Sequence, residues 1–198
     1  MYYQRLKYTI LFSAWLFIQP VNALQTQTPQ VSMLVNTCVA CHGINGSSVG
    51  PATPIIAGMR KPLFLKAMRD MKSGKRPSTL MGLIAKGYTD HEFQIMADFF
   101  TQQKIVRYPQ PVDKEKARRG RLLHNLYCNG CHKIEGPSEL LSNNLAGQKM
   151  PYIRQRLLEF INGEDPTTPV MESSLKHFIQ NNSESDFDDL IHYFGSHQ

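Results

Sequence analysis

The segment CVACH at residues 38–42 recurs 90 residues later as CNGCH at residues 128–132, and the two copies use all four cysteines of the chain. Cys-x-x-Cys-His is the pattern of covalent c-type haem attachment. Two thiols three positions apart form thioethers with the two vinyl groups of one porphyrin, and the histidine that follows supplies an imidazole to the iron. The repeated motif therefore predicts two haem c groups and one-electron transfer.

The six motif residues are predicted to attach the haems and to supply one axial ligand to each iron: Cys38, Cys41, His42, Cys128, Cys131 and His132. A zinc site and a dithiol redox site are the alternatives. The second pair of a four-cysteine zinc site usually follows about 15–20 residues after the first, whereas Cys128 follows Cys41 by 87 residues. A thioredoxin-like motif requires a βαβ pattern, and the sequence shows none. Both alternatives are therefore weaker than haem.

The first 23 residues have the composition of an export signal. Arg5 and Lys7 are followed by an uncharged, mostly apolar stretch at residues 8–18 and by a small-residue cleavage site that ends at Ala23. An apolar segment of this length is shorter than the roughly 20 residues of a membrane-spanning helix, although an N-terminal anchor is the alternative. We expect a signal peptide over residues 1–23 and a periplasmic mature protein that does not span the membrane.

Charge is unevenly distributed along the mature sequence. Residues 24–106 contain 9 basic and 4 acidic side chains, whereas residues 107–198 contain 11 and 12. The propionates of two haems would bring the assembled protein close to neutrality. The basic run at residues 114–121 is interleaved with acidic side chains, which is typical of a solvated helix face. We therefore expect no nucleic-acid partner.

Further features repeat between the two halves. IAG at residues 56–58 recurs as LAG at residues 145–147, and a helix-capping residue stands late in each half. Thr89 forms a capping-box pattern with Glu92, and Ser183 has the corresponding place in the second half. Apolar residues then follow at positions i, i+3, i+4 and i+7, which predicts one buried stripe on each helix. The stripes are Phe93, Met96, Ala97, Phe100, Phe187, Leu190, Ile191 and Phe194.

A segment with two prolines separates the halves at residues 105–111. Proline restricts its own backbone and that of the preceding residue, so this segment is predicted to be a linker. Asp113 is predicted to cap a helix that leads to the second haem motif. Because strand signals are weak throughout, we expect an all-α fold with one domain over residues 24–106 and another over residues 107–198. Domains of this size bury a limited core, so each is expected to wrap around its haem.

Two methionines occupy matching positions in the halves. Met81 stands 43 residues after Cys38, and Met171 stands 43 residues after Cys128. The shared interval predicts that both are second axial ligands, on loops just before the late helices. Methionine–histidine ligation closes the iron to small molecules and raises its potential, so no catalytic residue is predicted. The alternatives are that these methionines belong to the core, or that the second ligand is His91, His177 or His192.

The other ring nitrogen of an iron-bound histidine normally donates to a backbone carbonyl, which fixes the ring. Pro51 lies at a suitable distance after His42 for this role. In the second half, Pro137 is the corresponding candidate partner of His132.

Short segments around the first motif form a more specific pattern than the motif itself. They lie at residues 41–43, 45–46, 48–52, 56–58, 72–74, 78–82 and 84–88. The second half has a looser pattern at residues 126–128, 131–132, 145–148, 151–152 and 171–172. Together these segments resemble the cytochrome subunit of flavocytochrome c sulfide dehydrogenase, most strongly over residues 38–100.

The resemblance implies two tandem class I cytochrome c-like domains, each wrapped around one covalent haem c. It implies that His42 and Met81 ligate one iron, and that His132 and Met171 ligate the other. It also implies a FAD-containing flavoprotein partner that oxidises sulfide, and a soluble electron acceptor such as a small cytochrome c.

Sulfide chemistry and flavin are not expected on this chain, because it has no G-x-G-x-x-G fingerprint and every cysteine is assigned to haem. By itself the chain is therefore expected to be an electron-transfer subunit and not an enzyme. A free-standing diheme cytochrome c that delivers electrons to a terminal oxidase has the same architecture and is the alternative.

Overall fold

The computed structural model describes residues 28–134 and 145–198, and all regular secondary structure within them is helical. This confirms the predicted all-α class. The predicted signal peptide lies outside the described residues. The α-helices are α1 (Pro29–His42), α2 (Lys61–Ser73), α3 (Leu80–Lys86), α4 (Asp90–Thr101), α5 (Lys114–Tyr127), α6 (Met150–Ile161), α7 (Pro169–Asn181) and α8 (Glu184–Gly195), with a short 3-10 turn at Ile44–Gly46.

Side-chain caps fix the starts of the helices that the sequence singled out. Thr89 accepts a hydrogen bond from the backbone N–H of Glu92, whose carboxylate accepts one from the N–H of Thr89 in return. Ser183 and Asp186 form the same reciprocal pair at the start of α8. Asp113 caps α5 because its carboxylate accepts hydrogen bonds from the backbone N–H groups of Glu115 and Lys116. The three predicted caps are confirmed, because each depends on residues at most three positions apart.

Two hydrophobic cores follow the duplication, and both predicted stripes are buried in them. Helices α1 to α4 enclose the first core, formed by Leu34, Val35, Phe64, Leu65, Met68, Ala85, Phe93, Met96, Ala97 and Phe100. Helices α6 to α8 enclose the second core, formed by Ile153, Leu157, Leu175, Phe178, Phe187, Leu190, Ile191, Tyr193 and Phe194. Burying each large apolar side chain contributes about 1.5–3 kcal/mol to folding.

Helices α5 and α8 cross in backbone contact at Gly120. A Cβ atom at this position would lie 2.0 Å from the carbonyl oxygen of Asp189. The buried Asp189 carboxylate also accepts two hydrogen bonds from Arg119, at 2.6 and 2.7 Å. A bidentate arginine–carboxylate pair fixes geometry as well as charge, so this crossing sets how α5 leads into the second haem motif.

The predicted linker has no helix, and polar contacts join the two domains beside it. The side chain of Gln148 exchanges two hydrogen bonds with the backbone of Ile55, at 2.8 and 3.0 Å. Arg76 donates to the hydroxyl oxygen of Tyr152 at 3.3 Å. None of the helices that the structure describes is both long enough and apolar enough to cross a membrane.

Candidate haem-binding sites

The first haem motif forms the last turn of α1. Cys38 is half-buried against the first core and Cys41 is exposed, and neither forms a disulfide. Burial raises the pKa of the Cys38 thiol. The helix ends at His42, and the next residue, Gly43, has a φ of +74°; a Cβ atom there would lie 2.3 Å from the carbonyl oxygen of Ser47. Glycine is therefore required for the chain to turn sharply after the motif.

His42 is buried, and its Nδ1 lies 2.9 Å from the carbonyl oxygen of Pro54. Because a carbonyl oxygen only accepts, Nδ1 carries the proton and Nε2 carries the lone pair that a metal requires. Burial lowers the pKa of His42, although the bond to Pro54 acts in the opposite direction. The ring is thus held neutral and oriented, as expected for an axial ligand.

The carbonyl partner of His42 is Pro54, so the prediction of Pro51 was wrong. Pro51 is exposed, whereas the segment after it folds back onto the motif. The carbonyl oxygen of Gly46 accepts hydrogen bonds from the N–H groups of Ile56 and Ala57, at 2.8 and 3.1 Å. This return of the chain brings Pro54 beneath the imidazole.

The two predicted methionine ligands lie near the starts of helices, so their placement on loops was wrong. Met81 is the second residue of α3, and Met171 is the third residue of α7. The local cause is capping: Ser78 accepts from the N–H of Gly82 at 3.0 Å, and Thr168 accepts from the N–H of Met171 at 3.2 Å. Capped N–H groups stabilise the first turn of a helix.

Each methionine is half-buried against the core of its own domain. Met81 packs on the first core together with Cys38, and Met171 packs on the second core together with Cys128. The structure thus brings the first cysteine of each motif and the matching methionine to one core. Their equal spacing in the sequence corresponds to equivalent places in the two domains.

The second haem motif lies in turns beyond the end of α5. Cys131 is exposed, whereas Cys128 is half-buried, and burial raises the pKa of Cys128 to about 11. The N–H of His132 donates to the carbonyl oxygen of Cys128 at 2.8 Å. Burial, followed by the nearby His124, lowers the pKa of His132. The Nδ1 atom of His132 is buried without a partner among the described residues, and Pro137, its predicted partner, lies outside them.

His124 is a buried residue of the second site that the sequence analysis missed. It is 1% exposed, its Nε2 lies 2.7 Å from the carbonyl oxygen of His132, and its ring packs against Tyr193 and Phe194. It stands four residues before the first cysteine of its motif, where the first domain has the buried Leu34. The sequence does contain a signal for His124: a polar residue stands where the corresponding helix of the first domain has the apolar Leu34.

None of the alternative histidine ligands is buried, although the ring of His177 packs edge-to-face against Tyr127. His91 and His177 are exposed. His192 is half-buried, and its Nδ1 accepts a hydrogen bond from the N–H of Asp113 at 3.1 Å. Within the described residues, no group of three or more His, Cys, Asp or Glu side chains is arranged to hold a metal ion.

The residues at both motifs fit haem c. Haem c attachment requires two thiols, an imidazole with a free lone pair and an apolar surface. His42 supplies such an imidazole, because its Nδ1 is bonded to the carbonyl of Pro54 and its Nε2 lone pair stays free. Large apolar side chains are exposed directly before both methionines, Leu80 at 57% and Val170 at 65%. Two helical domains with these features define a diheme class I c-type cytochrome.

Comparison with known proteins gives the family. The chain is 31% identical over 147 residues to cytochrome c4 of Pseudomonas aeruginosa. This alignment covers 69% of this chain and 73% of the relative. The chain therefore belongs to the cytochrome c4 family, and its cofactors are two haem c groups. No family model matches the sequence.

Two other similarities differ in extent. The crystal structure of reduced recombinant cytochrome c4 from Pseudomonas stutzeri has the same fold, with a TM-score of 0.67 and 24% identity over 85% of this chain and 97% of that chain. The cytochrome subunit of sulfide dehydrogenase from Chlorobaculum tepidum is 41% identical over 64 residues, which is 32% of this chain and 57% of that protein. The resemblance to a sulfide dehydrogenase subunit is therefore partial.

Proposed function

We propose that this protein is a free-standing periplasmic carrier that delivers single electrons to a terminal oxidase. The observation that carries this proposal is the extent of its similarity to cytochrome c4, which covers 69% of the chain, whereas the similarity to a sulfide dehydrogenase subunit covers 32% of it. Bound haem c supplies the one-electron iron couple. The role of the polypeptide is to hold each iron six-coordinate and to exclude other ligands.

The proposed axial ligands are His42 with Met81 in the first domain, and His132 with Met171 in the second. Four cysteines attach the two groups: Cys38, Cys41, Cys128 and Cys131. The bond from His42 to the Pro54 carbonyl supports the first histidine, because it presents the Nε2 lone pair. The placement of each methionine on the core of its own domain supports the second ligand.

The proposed mature protein begins after a signal peptide at residues 1–23, cleaved near Ala23. Domain boundaries are proposed at residues 24–106 and 107–198, which places the division within the helix-free linker. Attachment of c-type haem outside the cytoplasm agrees with export.

Expression with the c-type haem attachment machinery tests the carrier. We expect an intact mass equal to the polypeptide from residue 24 plus two haems, and reductive titration that consumes two electrons per chain. A Cys38→Ala/Cys41→Ala variant should retain a single haem, and the matched Cys128→Ala/Cys131→Ala variant should retain the other. A mature mass without added haem would reject the proposal.

A second candidate is the electron-transfer subunit of a sulfide dehydrogenase with a FAD-containing flavoprotein. The 41% identity over 64 residues to the cytochrome subunit of a sulfide dehydrogenase favours it. In this assembly sulfide oxidation belongs to the flavoprotein, and this chain passes electrons to a soluble acceptor such as a small cytochrome c.

Co-purification from the native host distinguishes the two candidates. A flavoprotein that co-elutes with this chain and makes its reduction dependent on sulfide would establish the second candidate. Isolation of the chain alone, with no reduction by sulfide in the presence of host extract, would reject it and leave the carrier.

A further inference from the structure

A chain of hydrogen bonds joins the second domain to the histidine of the first haem motif. The peptide group between Pro54 and Ile55 accepts at one end and donates at the other. Its carbonyl oxygen accepts from Nδ1 of His42 at 2.9 Å, and its N–H donates to Oε1 of Gln148 at 2.8 Å. The Nε2 of Gln148 returns a hydrogen bond to the carbonyl oxygen of Ile55 at 3.0 Å. One peptide group therefore lies between the His42 ring and a side chain of the other domain.

The orientation of the Gln148 amide is fixed by its partners. Its Oε1 accepts from the backbone N–H of Lys149 at 3.0 Å as well as from Ile55. A flipped amide would place its NH₂ group against two donors, so only one orientation satisfies the network. The backbone carbonyl of Gln148 is also held, by Nε2 of Gln110 at 3.0 Å. Ile55 and Gln148 are each 6% exposed, so water does not compete for these bonds.

We propose that Gln148 is a positioning residue for the first haem site, and that it acts through the Pro54–Ile55 peptide. Hydrogen bonds in a chain polarise one another. Donation from the Ile55 N–H to Gln148 therefore makes the Pro54 carbonyl a stronger acceptor for the proton on Nδ1 of His42. A stronger bond at Nδ1 increases the basicity of the ligating nitrogen. This inference rests on the proposed ligation of the first iron by His42.

Among the described residues, this kind of hydrogen-bond chain leads from the second domain to the first haem motif, and none leads from the first domain to the second motif. In the second motif, the carbonyl of His132 accepts from His124 of the same domain, and the buried Nδ1 of His132 has no described partner in the first domain. The network therefore assigns the second domain a part in tuning the first site. A more basic imidazole favours Fe(III), so the Gln148 amide lowers the reduction potential of the first haem.

The test is a Gln148→Met variant of the two-haem protein, studied by spectroelectrochemistry. Methionine is of similar length and has neither an amide donor nor an amide acceptor. We expect the potential of the first haem to rise while that of the second is unchanged. The wave of the first haem is identified from a Met81→His variant, in which it moves to lower potential.

Two further variants separate polarisation from a general loosening of the interface. Tyr152→Phe removes one contact of Arg76 between the domains, leaves its ion pair with Asp165 and does not touch the Pro54–Ile55 peptide, and it should leave both potentials unchanged. Gln148→Glu keeps an acceptor for the Ile55 N–H in either protonation state, and it should not raise the first potential. If Gln148→Met fails to accumulate, Gln148→Asn serves the same purpose, because its amide is one methylene short of Ile55.

Hydrogen exchange supplies a readout that does not depend on potentials. Exchange of the Ile55 amide should accelerate about fivefold in Gln148→Met, the equivalent of one net hydrogen bond, and should not change in Tyr152→Phe. The inference is overturned if Gln148→Met binds two haems and shifts both potentials equally or neither. Failure of the parent protein to bind two haems would instead reject the proposed function.

Discussion

The Nε2 of His124 lies 2.7 Å from the carbonyl oxygen of His132, so a buried side chain of α5 holds the end of the second haem motif. The first domain has no equivalent bond at this position, because Leu34 replaces the histidine. The turns of the second motif depend on this support, whereas the first motif is part of a helix.

Replacement of His124 with Leu should destabilise the second domain. The carbonyl of His132 would lose its partner, at a cost of about 1–3 kcal/mol for an unsatisfied buried acceptor. Thermal unfolding followed at the two haem absorption bands measures the loss. His91→Leu is the control, since His91 is exposed, and its unfolding temperature should stay close to that of the parent. Equal stability of the His124 variant and the parent would contradict a supporting role.

Replacement of Gly120 with Ala should disrupt the crossing of α5 and α8. The added Cβ would lie 2.0 Å from the Asp189 carbonyl oxygen, and overpacking of this kind costs about 1–3 kcal/mol. Denaturant unfolding of the holoprotein measures the change. Gly130→Ala is the matched control, because a Cβ there meets nothing within 4 Å. A Gly120 variant as stable as the control would show that the helices can move apart freely.

Replacement of Met81 with His should lower the potential of the first haem and remove half of the far-red methionine–iron absorbance. Bis-histidine ligation has a lower potential than methionine–histidine ligation. Met33→His is the control, because Met33 is 74% exposed. An unchanged far-red band in the Met81 variant would exclude Met81 as a ligand.

The cysteines of each motif should differ in reactivity before haem attachment. Burial raises the pKa of Cys38 and, to about 11, that of Cys128, and the thiolate is the reactive species. In the chain produced without haem attachment, iodoacetamide should modify the exposed Cys41 and Cys131 first, as measured by peptide mass spectrometry. In the holoprotein all four should be unreactive. Equal rates at both positions would contradict the observed burial.

The helix caps should make stability fall in acid. Hydrogen bonds from Thr89 hold the pKa of Glu92 below its usual value of 4.5, and those from Ser183 hold the pKa of Asp186 below 3.8. A lowered folded pKa contributes stability that is present above the unfolded pKa and is lost as the pH falls through the folded value. Unfolding between pH 6 and pH 3 should show this loss. A Glu92→Gln/Asp186→Asn variant should have a flatter profile, and a profile identical to the parent's would exclude the caps as its cause.

The features that could be predicted from the sequence are those fixed by nearby residues or by the duplication. The caps at Thr89 and Ser183 depend on three-residue spacings. Met81 and Met171 were matched by their intervals, but their helical placement depends on capping by Ser78 and Thr168, which a spacing argument does not consider.

Other features depend on contacts between distant parts of the chain. Pro54 becomes the partner of His42 only because the segment that follows returns to Gly46. Gln148 meets Ile55 across 93 positions of sequence, and nothing in the local pattern indicates that pairing.

Hydrogen bonds hold the linker against both domains. The N–H of Val106 donates to the Ser47 hydroxyl at 3.0 Å, and the guanidinium of Arg107 donates to the carbonyl of Ala146 at 2.7 Å. The side-chain oxygen of Gln110 accepts a hydrogen bond from the N–H of Met150 at 3.1 Å. The segment therefore works as a layer of the interface and not as a tether. Electron exchange between the two halves should accordingly proceed at one fixed separation, with a rate independent of solvent viscosity.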